Sequence, residues 1–283
     1  MNFTKIAKAK LWNGYIGVKD ILVNDQTLGL NKKLQNIHIG NRIFILGSGA
    51  SIKLYDLTQL KHEYVMTQNN FHVHPDIKEI NPNYHCVVPY YQSNKEFSIW
   101  QEWISDMVEK LPNAQFCWGK NTKHLIDSNF SELKEKSYYI SAKYRVLTLS
   151  KAKVDMTKTI MEINTVTTQC LILALYMGFS EIYLLGFDHN QLCGDRLKQN
   201  RFYGMSKITD TEAEAKLLDK QRGVNILQSY INTWKTQKQL GFLRSYSERN
   251  GIKIRNVSNE GILEIFERLP LREVVGNNML LKK

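Results

Sequence analysis

The chain is poor in the residues that interrupt regular structure. It has only 5 prolines and 16 glycines among 283 residues, which excludes a long low-complexity linker. Hydrophobic residues make up 43% and charged residues 23%, so disordered and fibrous classes are excluded as well. No apolar run approaches the roughly 18–20 residues of a membrane span, and polar residues interrupt Met1–Asn24, where a signal peptide would have an apolar core. We therefore expect one large globular α/β domain or two modest ones.

Cysteine is equally scarce, and its spacing indicates no site. The four cysteines are far apart, without a CxxC pair or the spacing of metal ligands: Cys86, Cys117, Cys170 and Cys193. His72 and His74 would share one face of a strand, but Pro75 favours a loop there and no nearby carboxylate completes a site. We therefore predict a reduced, cytoplasmic protein without a bound metal.

Positive charge is in clear excess. Lysine and arginine number 38 against 27 aspartates and glutamates, which gives a net charge of +11. This excess suits an anionic partner, whether nucleic acid, a phosphorylated small molecule or an acidic membrane face. We expect no nucleic-acid partner, because zinc-finger ligands, an RNP-type aromatic strand and a helix-turn-helix pattern are all missing.

The first forty residues form a basic N-terminal extension with weak periodicity. Trp12 and Tyr15 stand among several lysines: Lys5, Lys8, Lys10, Lys32 and Lys33. Such a segment is either a strap packed on the main domain or a peripheral contact with the inner membrane. We divide the chain into this extension, residues 1–40, and a single domain, residues 41–283.

Apolar runs then alternate with helical patterns. Arg42–Leu46 and Glu181–Leu185 are typical of buried strands that end in turns. Further predicted strands are Tyr64–Thr67, His85–Pro89, Tyr138–Ile140, Arg145–Leu149 and Ile252–Val257. The predicted helices are Phe97–Leu111, an apolar helix Cys170–Met177 that Asn164 or Thr165 caps and Gly178 ends, and Ile231–Asn250. This alternation predicts an α/β fold with a doubly wound, largely parallel sheet.

The turn after the first strand is the first candidate site, because ligands of such sheets bind where strands end. Its small residues let backbone N–H groups approach a phosphate: Gly47, Ser48, Gly49, Ala50 and Ser51. The same turn is equally consistent with a tight connection that binds nothing. It is not a P-loop, and it lacks the third glycine of a dinucleotide fingerprint.

Two more strand ends carry polar residues. After Gly186, the pair Asp188-His189 suits sugar hydroxyls, a metal or a proton in transit, unless Asp188 merely caps a turn. Asn69 and Asn70 follow another strand, where their amides can read a nucleobase or ribose or simply face solvent.

A polar, basic segment follows the Asp-His pair. Its length predicts a lid over the crevice, at about residues 190–225. Its basic and aromatic residues would meet a phosphate or, in the alternative, remain solvated: Arg201, Tyr203 and Lys207.

Three blocks of the sequence resemble one bacterial glycosyltransferase group. The blocks are Asn41–Ser51, Met177–His189 and Arg249–Glu264. The group comprises lipooligosaccharide sialyltransferases and related surface-polysaccharide proteins of the hydroxymethylpterin diphosphokinase-like superfamily. Its members have a glycine-rich turn after the first strand and a "Gly-aromatic-x-Glu-Ile-Tyr-Leu-x-Gly-x-Asp" block. Together the blocks span about residues 37–270.

The resemblance implies a Rossmann-like fold, a CMP-activated acid sugar as donor and no cofactor. Transfer would be inverting and metal-independent, to a glycan or lipid-linked acceptor, with a sialic-acid-like or Kdo-like sugar. By matching position, Ser48, Gly49 and Ser51 would line the donor phosphate and ribose. Asn69 or Asn70 would read the nucleotide, and Thr165 would contact the donor. A homo-oligomer is left open.

The catalytic base departs from the group's pattern. The sialyltransferases carry their histidine in a Gly-His-Ser-Lys segment, which aligns with Gly204–Lys207 and places Met205 at the histidine position. Because methionine cannot accept a proton, we assign the base to His189 and an orienting role to Asp188.

Three other functions compete with this interpretation. A pterin-type diphosphokinase would need a carboxylate cluster to hold a divalent cation, and only Asp188 is well placed for it. A non-catalytic nucleotide-binding protein of a polysaccharide assembly complex would explain Met205. A nicotinamide dehydrogenase is disfavoured by the missing third glycine.

Overall fold

The computed structural model describes residues 25–87, 97–143, 154–189 and 226–276, together with positions 11, 14, 15 and 18. The side chains at 97–99, 226 and 228 are not among those described. Several sequence-based predictions lie outside the described residues: the strand Arg145–Leu149, the lid at 190–225 with Arg201, Tyr203 and Lys207, and the positions Trp12, Cys193 and Met205.

One eight-stranded sheet forms the centre of the fold. Its strands are β1 (Arg42–Leu46), β2 (Tyr64–Gln68), β3 (Tyr84–Cys86), β4 (Gln115–Gly119), β5 (Ser137–Ile140), β8 (Glu181–Leu185), β9 (Lys253–Asn256) and β10 (Glu267–Arg268). Their order is β10-β9-β8-β1-β2-β3-β4-β5, and all pairings are parallel. A separate parallel pair joins β6 (Ala142–Lys143) to β7 (Ile160–Met161). The predicted α/β class and parallel sheet are confirmed.

Helices cover both faces of this sheet. The α-helices are α1 (Gln26–Gly29), α2 (Ile77–Ile80), α3 (Phe97–Lys110), α4 (Lys123–Asn129), α5 (Val166–Tyr176), α6 (Ile226–Arg249) and α7 (Leu271–Val275). Short 3₁₀ helices span Leu30–Leu34, Ala50–Leu54, Leu57–Leu60, Asn69–Val73, Lys120–Thr122 and Ser131–Lys136. Among the helices that the structure describes, none combines the length and apolar character needed to cross a bilayer.

The core has two layers because successive strand residues face opposite sides. In β1, Ile43 and Ile45 pack against the apolar helix α5, whereas Phe44 and Leu46 pack on the other side, in the layer that includes α3 residues. Every residue of α5 is buried, and from Cys170 onward its sequence is almost entirely apolar. Burial on both faces explains why β1 and β8 are continuous apolar runs.

The element boundaries agree closely with the patterns for the most apolar segments. β1 and β8 have the predicted limits, and Thr165, one of the two proposed caps, accepts a hydrogen bond from Thr168 N. Gly178 follows α5 with a φ of +82°. The strand β4 was not predicted. Where His85–Pro89 was predicted as a strand, β3 spans Tyr84–Cys86, Val87 lies outside it, and residues 88 and 89 lie outside the described residues.

Residues 25–40 pack into the domain core. Leu28 and Leu34 are each 2% exposed, and Asn31 is completely buried. The Asn31 amide donates to the carbonyls of Tyr139 and Met156, both at 2.7 Å. This part of the predicted extension is therefore integral to the fold, as a packed strap.

Candidate functional site

The two motif turns lie side by side at the centre of the sheet. β1 and β8 are neighbours, and the strand order runs in opposite directions from them, through β2 to β5 on one side and β9 to β10 on the other. Gly47 N donates to Leu185 O at 2.7 Å, and Gly49 N donates to Gly186 O at 2.8 Å. The turns after β1 and β8 therefore meet at the topological switch point, where open α/β sheets bind ligands.

Close backbone packing explains the glycines at this point. A Cβ atom on Gly49 would lie 2.5 Å from Asp188 Cγ, and one on Gly186, whose φ is +77°, would lie 2.7 Å from Gly47 O. Gly261, in the loop after β9, has a φ of +90°, and its Cβ would lie 2.5 Å from Asp188 Cα. The sequence argument assigned Gly49 to phosphate access. In the structure the glycine is already required for one turn to approach the other.

Asp188 joins these turns. Its side chain is 5% exposed, and its carboxylate accepts hydrogen bonds from Ser51 N, at 3.0 Å, and from Ser51 Oγ. Its carbonyl accepts from Ile262 N at 2.8 Å, which ties in the loop after β9. Both Ser51 donors are thus directed at Asp188, while Ser48, Gly49 and Ala50 are half-buried.

His189 directly follows Asp188 in the turn after β8. It is half-buried, with a φ of +51°, and its ring lies 6.5 Å from the ring of Phe187. Burial lowers the pKa of His189 below its ordinary value of 6.5, and the nearby Asp188 charge opposes that shift. The imidazole is therefore neutral at pH 7 and able to accept a proton.

Asn69 and Asn70 follow β2, the strand next to β1. Asn69 has a φ of +46°, a conformation that asparagine tolerates better than most residues. Its carbonyl accepts a hydrogen bond from His72 Nδ1 at 3.1 Å, and His72 Nε2 lies 3.0 Å from Asp106 Oδ2. The completely buried His72 imidazole therefore fixes the backbone of Asn69 through a hydrogen bond.

The two histidines that resembled a metal pair have separate surroundings. His72 contacts Asn69 and Asp106, whereas the His74 ring stacks on Phe71 with centroids 5.1 Å apart. Within the described ranges, no group of three histidine, cysteine, aspartate or glutamate side chains is arranged to hold a metal ion.

Thr165 lies at the same edge of the sheet, at the N-terminus of α5. Gln239 of α6 accepts hydrogen bonds there from Asn164 N, at 3.1 Å, and Thr168 Oγ1, at 3.3 Å. Gln169 Nε2 donates to Cys117 O in β4 at 2.8 Å. The first turn of α5 thus lies by the ends of the strands, and no direct contact joins Thr165 to the Gly47–Ser51 turn among the described hydrogen bonds.

Sequence reasoning missed the contribution of the loop after β9. Ser258 Oγ accepts from Gly186 N at 2.9 Å, and Tyr55 OH accepts from Asn259 N at 2.6 Å. Arg268 donates to the carbonyls of Glu260, at 3.0 Å, and Gly261, at 2.9 Å. The carboxyl ends of adjacent parallel strands lie at the same edge of a sheet. Because β9 is the neighbour of β8, the loop after β9 lies beside the turn after β8.

No protein-family model matches the sequence, and no curated protein does. Among solved structures, the sialyltransferase CstII from Campylobacter jejuni in complex with cytidine-5'-monophosphate is similar over 87% of this chain and 91% of its own, with 16% identity and a TM-score of 0.48. The same enzyme in complex with CMP-3FNeuAc is similar over 86% of this chain and 91% of its own, with 16% identity and a TM-score of 0.47. A variant of that enzyme in complex with CMP is similar over 86% of this chain and 91% of its own, with 16% identity and a TM-score of 0.49.

Proposed function

We propose that this protein is a glycosyltransferase that transfers a CMP-activated acid sugar, sialic-acid-like or Kdo-like, with inversion and without a metal ion. The observation that carries the proposal is the meeting of the Gly47–Ser51 and Gly186–His189 turns at the topological switch point. These are the two segments whose sequences resemble the glycosyltransferase group most. The acceptor belongs to a bacterial surface glycan, and the cytoplasmic location expected from the cysteines is part of the proposal.

The donor phosphate is assigned to the first turn. Ser48 and Ala50 are half-buried there, so the Ser48 hydroxyl and the Ala50 N–H are the proposed donors. Ser51 acts indirectly, since both its donors engage Asp188. Arg201, Tyr203 and Lys207 remain predicted phosphate contacts, which the net charge of +11 supports in general terms.

The nucleoside is assigned to the neighbouring strand end. Asn69 or Asn70 supplies an amide that matches the donors and acceptors of cytosine or ribose. The support is their place directly after β2, beside the turn that follows β1. Thr165, at the N-terminus of α5, is the proposed contact on the helical side.

His189 is the proposed general base. It accepts the proton of the acceptor hydroxyl as that oxygen bonds to the anomeric carbon and the bond from this carbon to the CMP oxygen breaks, releasing CMP. The lowered pKa of His189 keeps it unprotonated at pH 7. Asp188 holds the turn that presents His189, because its carboxylate is bonded to Ser51.

Calorimetric titration of the full chain tests the donor site. We expect CMP to bind more tightly than UMP or ADP, and Ser48→Ala to weaken CMP binding by about tenfold or more, the loss of one hydrogen bond to a charged group. Absence of measurable binding of all three nucleotides, or tightest binding of ADP, would contradict the assignment.

Single-turnover transfer tests the base. We expect His189→Gln to slow transfer by about 100-fold or more while CMP affinity and melting temperature stay close to wild type. His124→Gln, at an exposed helical histidine, is the matched control. The acid limb of the wild-type rate profile should lie below pH 6.5, because the folded pKa is lowered. Wild-type turnover by a stable His189→Gln variant would remove the assignment.

A non-catalytic nucleotide-binding protein is the second candidate function. It is favoured by one observation, the engagement of the Asp188 carboxylate with Ser51 inside the fold. This alternative predicts CMP binding without transfer to any glycan acceptor. A diphosphokinase predicts binding of a pterin and of ATP with a divalent cation, which calorimetric titration with those ligands tests.

A further inference from the structure

The N-terminal half of α6 carries an exposed apolar face, which we name the α6 stripe: Leu227, Tyr230, Ile231 and Trp234. These residues are 63%, 55%, 37% and 59% exposed. Their spacing of three and four residues places all of them on one face of the helix. Among the described side chains of this helix, the buried ones begin at Thr236 and include Gln239, Leu240 and Leu243. The first part of α6 thus presents an apolar face that no described residue covers.

The stripe is located at the edge of the molecule where the strands end. β8 and β9 are parallel neighbours, so α6, which precedes β9, runs opposite to them and begins at that edge. Gln239 contacts Asn164 and Thr168 at the start of α5. At a rise of about 1.5 Å per residue, Trp234 lies about 8 Å and Leu227 about 18 Å beyond Gln239 along the helix axis.

The charged residues of α6 nearest to the stripe are both lysines. Lys235 and Lys238 follow it, and Glu248 is the only acidic residue of α6, at its far end. Lys238 Nζ lies 4.4 Å from the centroid of the Trp234 ring. Tryptophan and tyrosine are enriched where proteins meet the membrane interface, and lysines beside them can meet anionic head groups.

We propose that the α6 stripe docks on an anionic lipid surface. Apolar side chains enter the boundary between head groups and acyl chains, while Lys235 and Lys238 meet the lipid phosphates. The docked helix brings the crevice edge of the sheet towards the membrane. Leu11 (74% exposed), Tyr15 (57%) and Val18 (55%) are a second set of exposed apolar residues, in the N-terminal segment, and the experiment below separates their contribution from that of the stripe.

Vesicle co-sedimentation of the full chain tests this proposal without any donor or acceptor. We expect binding to vesicles with one third phosphatidylglycerol in phosphatidylcholine, and much weaker binding to phosphatidylcholine alone. The double variant Leu227→Ser/Trp234→Ser should bind anionic vesicles at least about tenfold more weakly. Lys235→Gln/Lys238→Gln should lose about fivefold for each lysine removed and should show a smaller salt dependence.

Ile39→Ser is the matched control. Ile39 is 71% exposed but precedes β1, at the opposite edge of the sheet. Its substitution should leave vesicle binding unchanged, and all variants should melt at the wild-type temperature, since the residues are exposed. Absence of wild-type binding, or equal loss in Ile39→Ser, overturns the proposal.

Two further outcomes would also overturn it. Unchanged binding of the α6 double variant would assign the membrane contact to the N-terminal segment instead. A wild-type dimer in light scattering that becomes a monomer in Leu227→Ser/Trp234→Ser, without a change in vesicle binding, would identify a second copy of the chain as the occupant.

Discussion

The two edges of the parallel sheet are closed in different ways. Where the strands begin, backbone hydrogen bonds such as that from Ser180 N to Asn41 O, at 2.9 Å, are accompanied by side-chain pairs. Arg42 pairs with Glu63, Lys253 pairs with Glu181, and the His38 ring stacks on Phe179 with centroids 4.4 Å apart. Where the strands end, backbone packs on backbone at glycines, around one buried carboxylate.

The difference separates general stability from the formation of a site. Side-chain pairs at a surface tolerate exchange, because each contributes little and its partner can turn to water. Backbone contacts at Gly47, Gly186 and Gly261 do not, because no rotamer can relieve a misplaced Cβ atom. This packing fixes the two turns that carry Ser48 and His189, the residues to which the proposed function assigns the donor phosphate and the general base.

The strongest test of this contrast is a glycine pair. Gly261→Ala would place Cβ 2.5 Å from Asp188 Cα, whereas Gly276→Ala has nearly the same φ, +89° against +90°, and no atom within 4 Å. We expect the first to lower the free energy of unfolding by about 3 kcal/mol or more and the second by about 1 kcal/mol, the cost of the backbone conformation alone. Urea denaturation measures both, and equal losses would refute the packing argument.

The buried carboxylate is tested by two serines of one turn. Ser51→Ala removes the hydroxyl that Asp188 accepts from, so we expect a loss of about 2 kcal/mol in unfolding free energy. Ser48→Ala, three residues earlier and half-buried, should change stability by about 0.5 kcal/mol or less. Under the proposed function the order reverses for CMP affinity, where Ser48→Ala has the direct effect. The same ordering in both measurements would argue against separate roles.

A buried histidine beneath the site adds a pH dependence. His85 is completely buried and hydrogen-bonded to Thr67 Oγ1 at 2.7 Å, with the His72 and Phe116 rings beside it. Burial lowers the pKa of His85 well below 6.5. As the pH decreases below about 6.5, His85 becomes protonated in the unfolded chain but stays neutral in the folded protein. The free energy of unfolding therefore decreases with the pH in this range.

We expect the wild-type unfolding free energy to decrease by about 1 kcal/mol per pH unit at most from this residue. His85→Gln retains polar groups but cannot be protonated, so its stability should fall less between pH 7 and pH 5.5. Urea denaturation at the two pH values measures the difference. Parallel decreases in both proteins would assign the acid sensitivity elsewhere.

The smallest effect is expected at the opposite edge. Glu63→Gln removes the charge of a partly exposed pair in which Arg42 Nε donates to Glu63 Oε2 at 2.9 Å. We expect a loss of at most about 1 kcal/mol, which should shrink in 1 M salt. A loss as large as that of Gly261→Ala would erase the contrast between the edges.

The best-predicted elements are those with a purely local signal. β1 and β8 were predicted with their observed limits, because strands buried on both faces are continuous apolar runs bounded by turn residues. β4 was missed, although Phe116, Cys117 and Trp118 are buried, because three such residues between a loop and a turn fit several structures. The helix α6 begins at Ile226, five residues before its predicted start at Ile231.

The amino-acid sequence by itself determined which residues stand at the strand ends, because turn glycines, Asp188-His189 and Asn69-Asn70 follow recognisable apolar runs. Only the tertiary structure decided what these residues touch. It directed the Ser51 donors to Asp188, brought the loop at Gly261 against the same carboxylate residue and left the α6 stripe uncovered. The physical reason is distance along the chain: the contacts that form the site include hydrogen bonds between residues 72 and 137 positions apart, and no local pattern encodes such pairings.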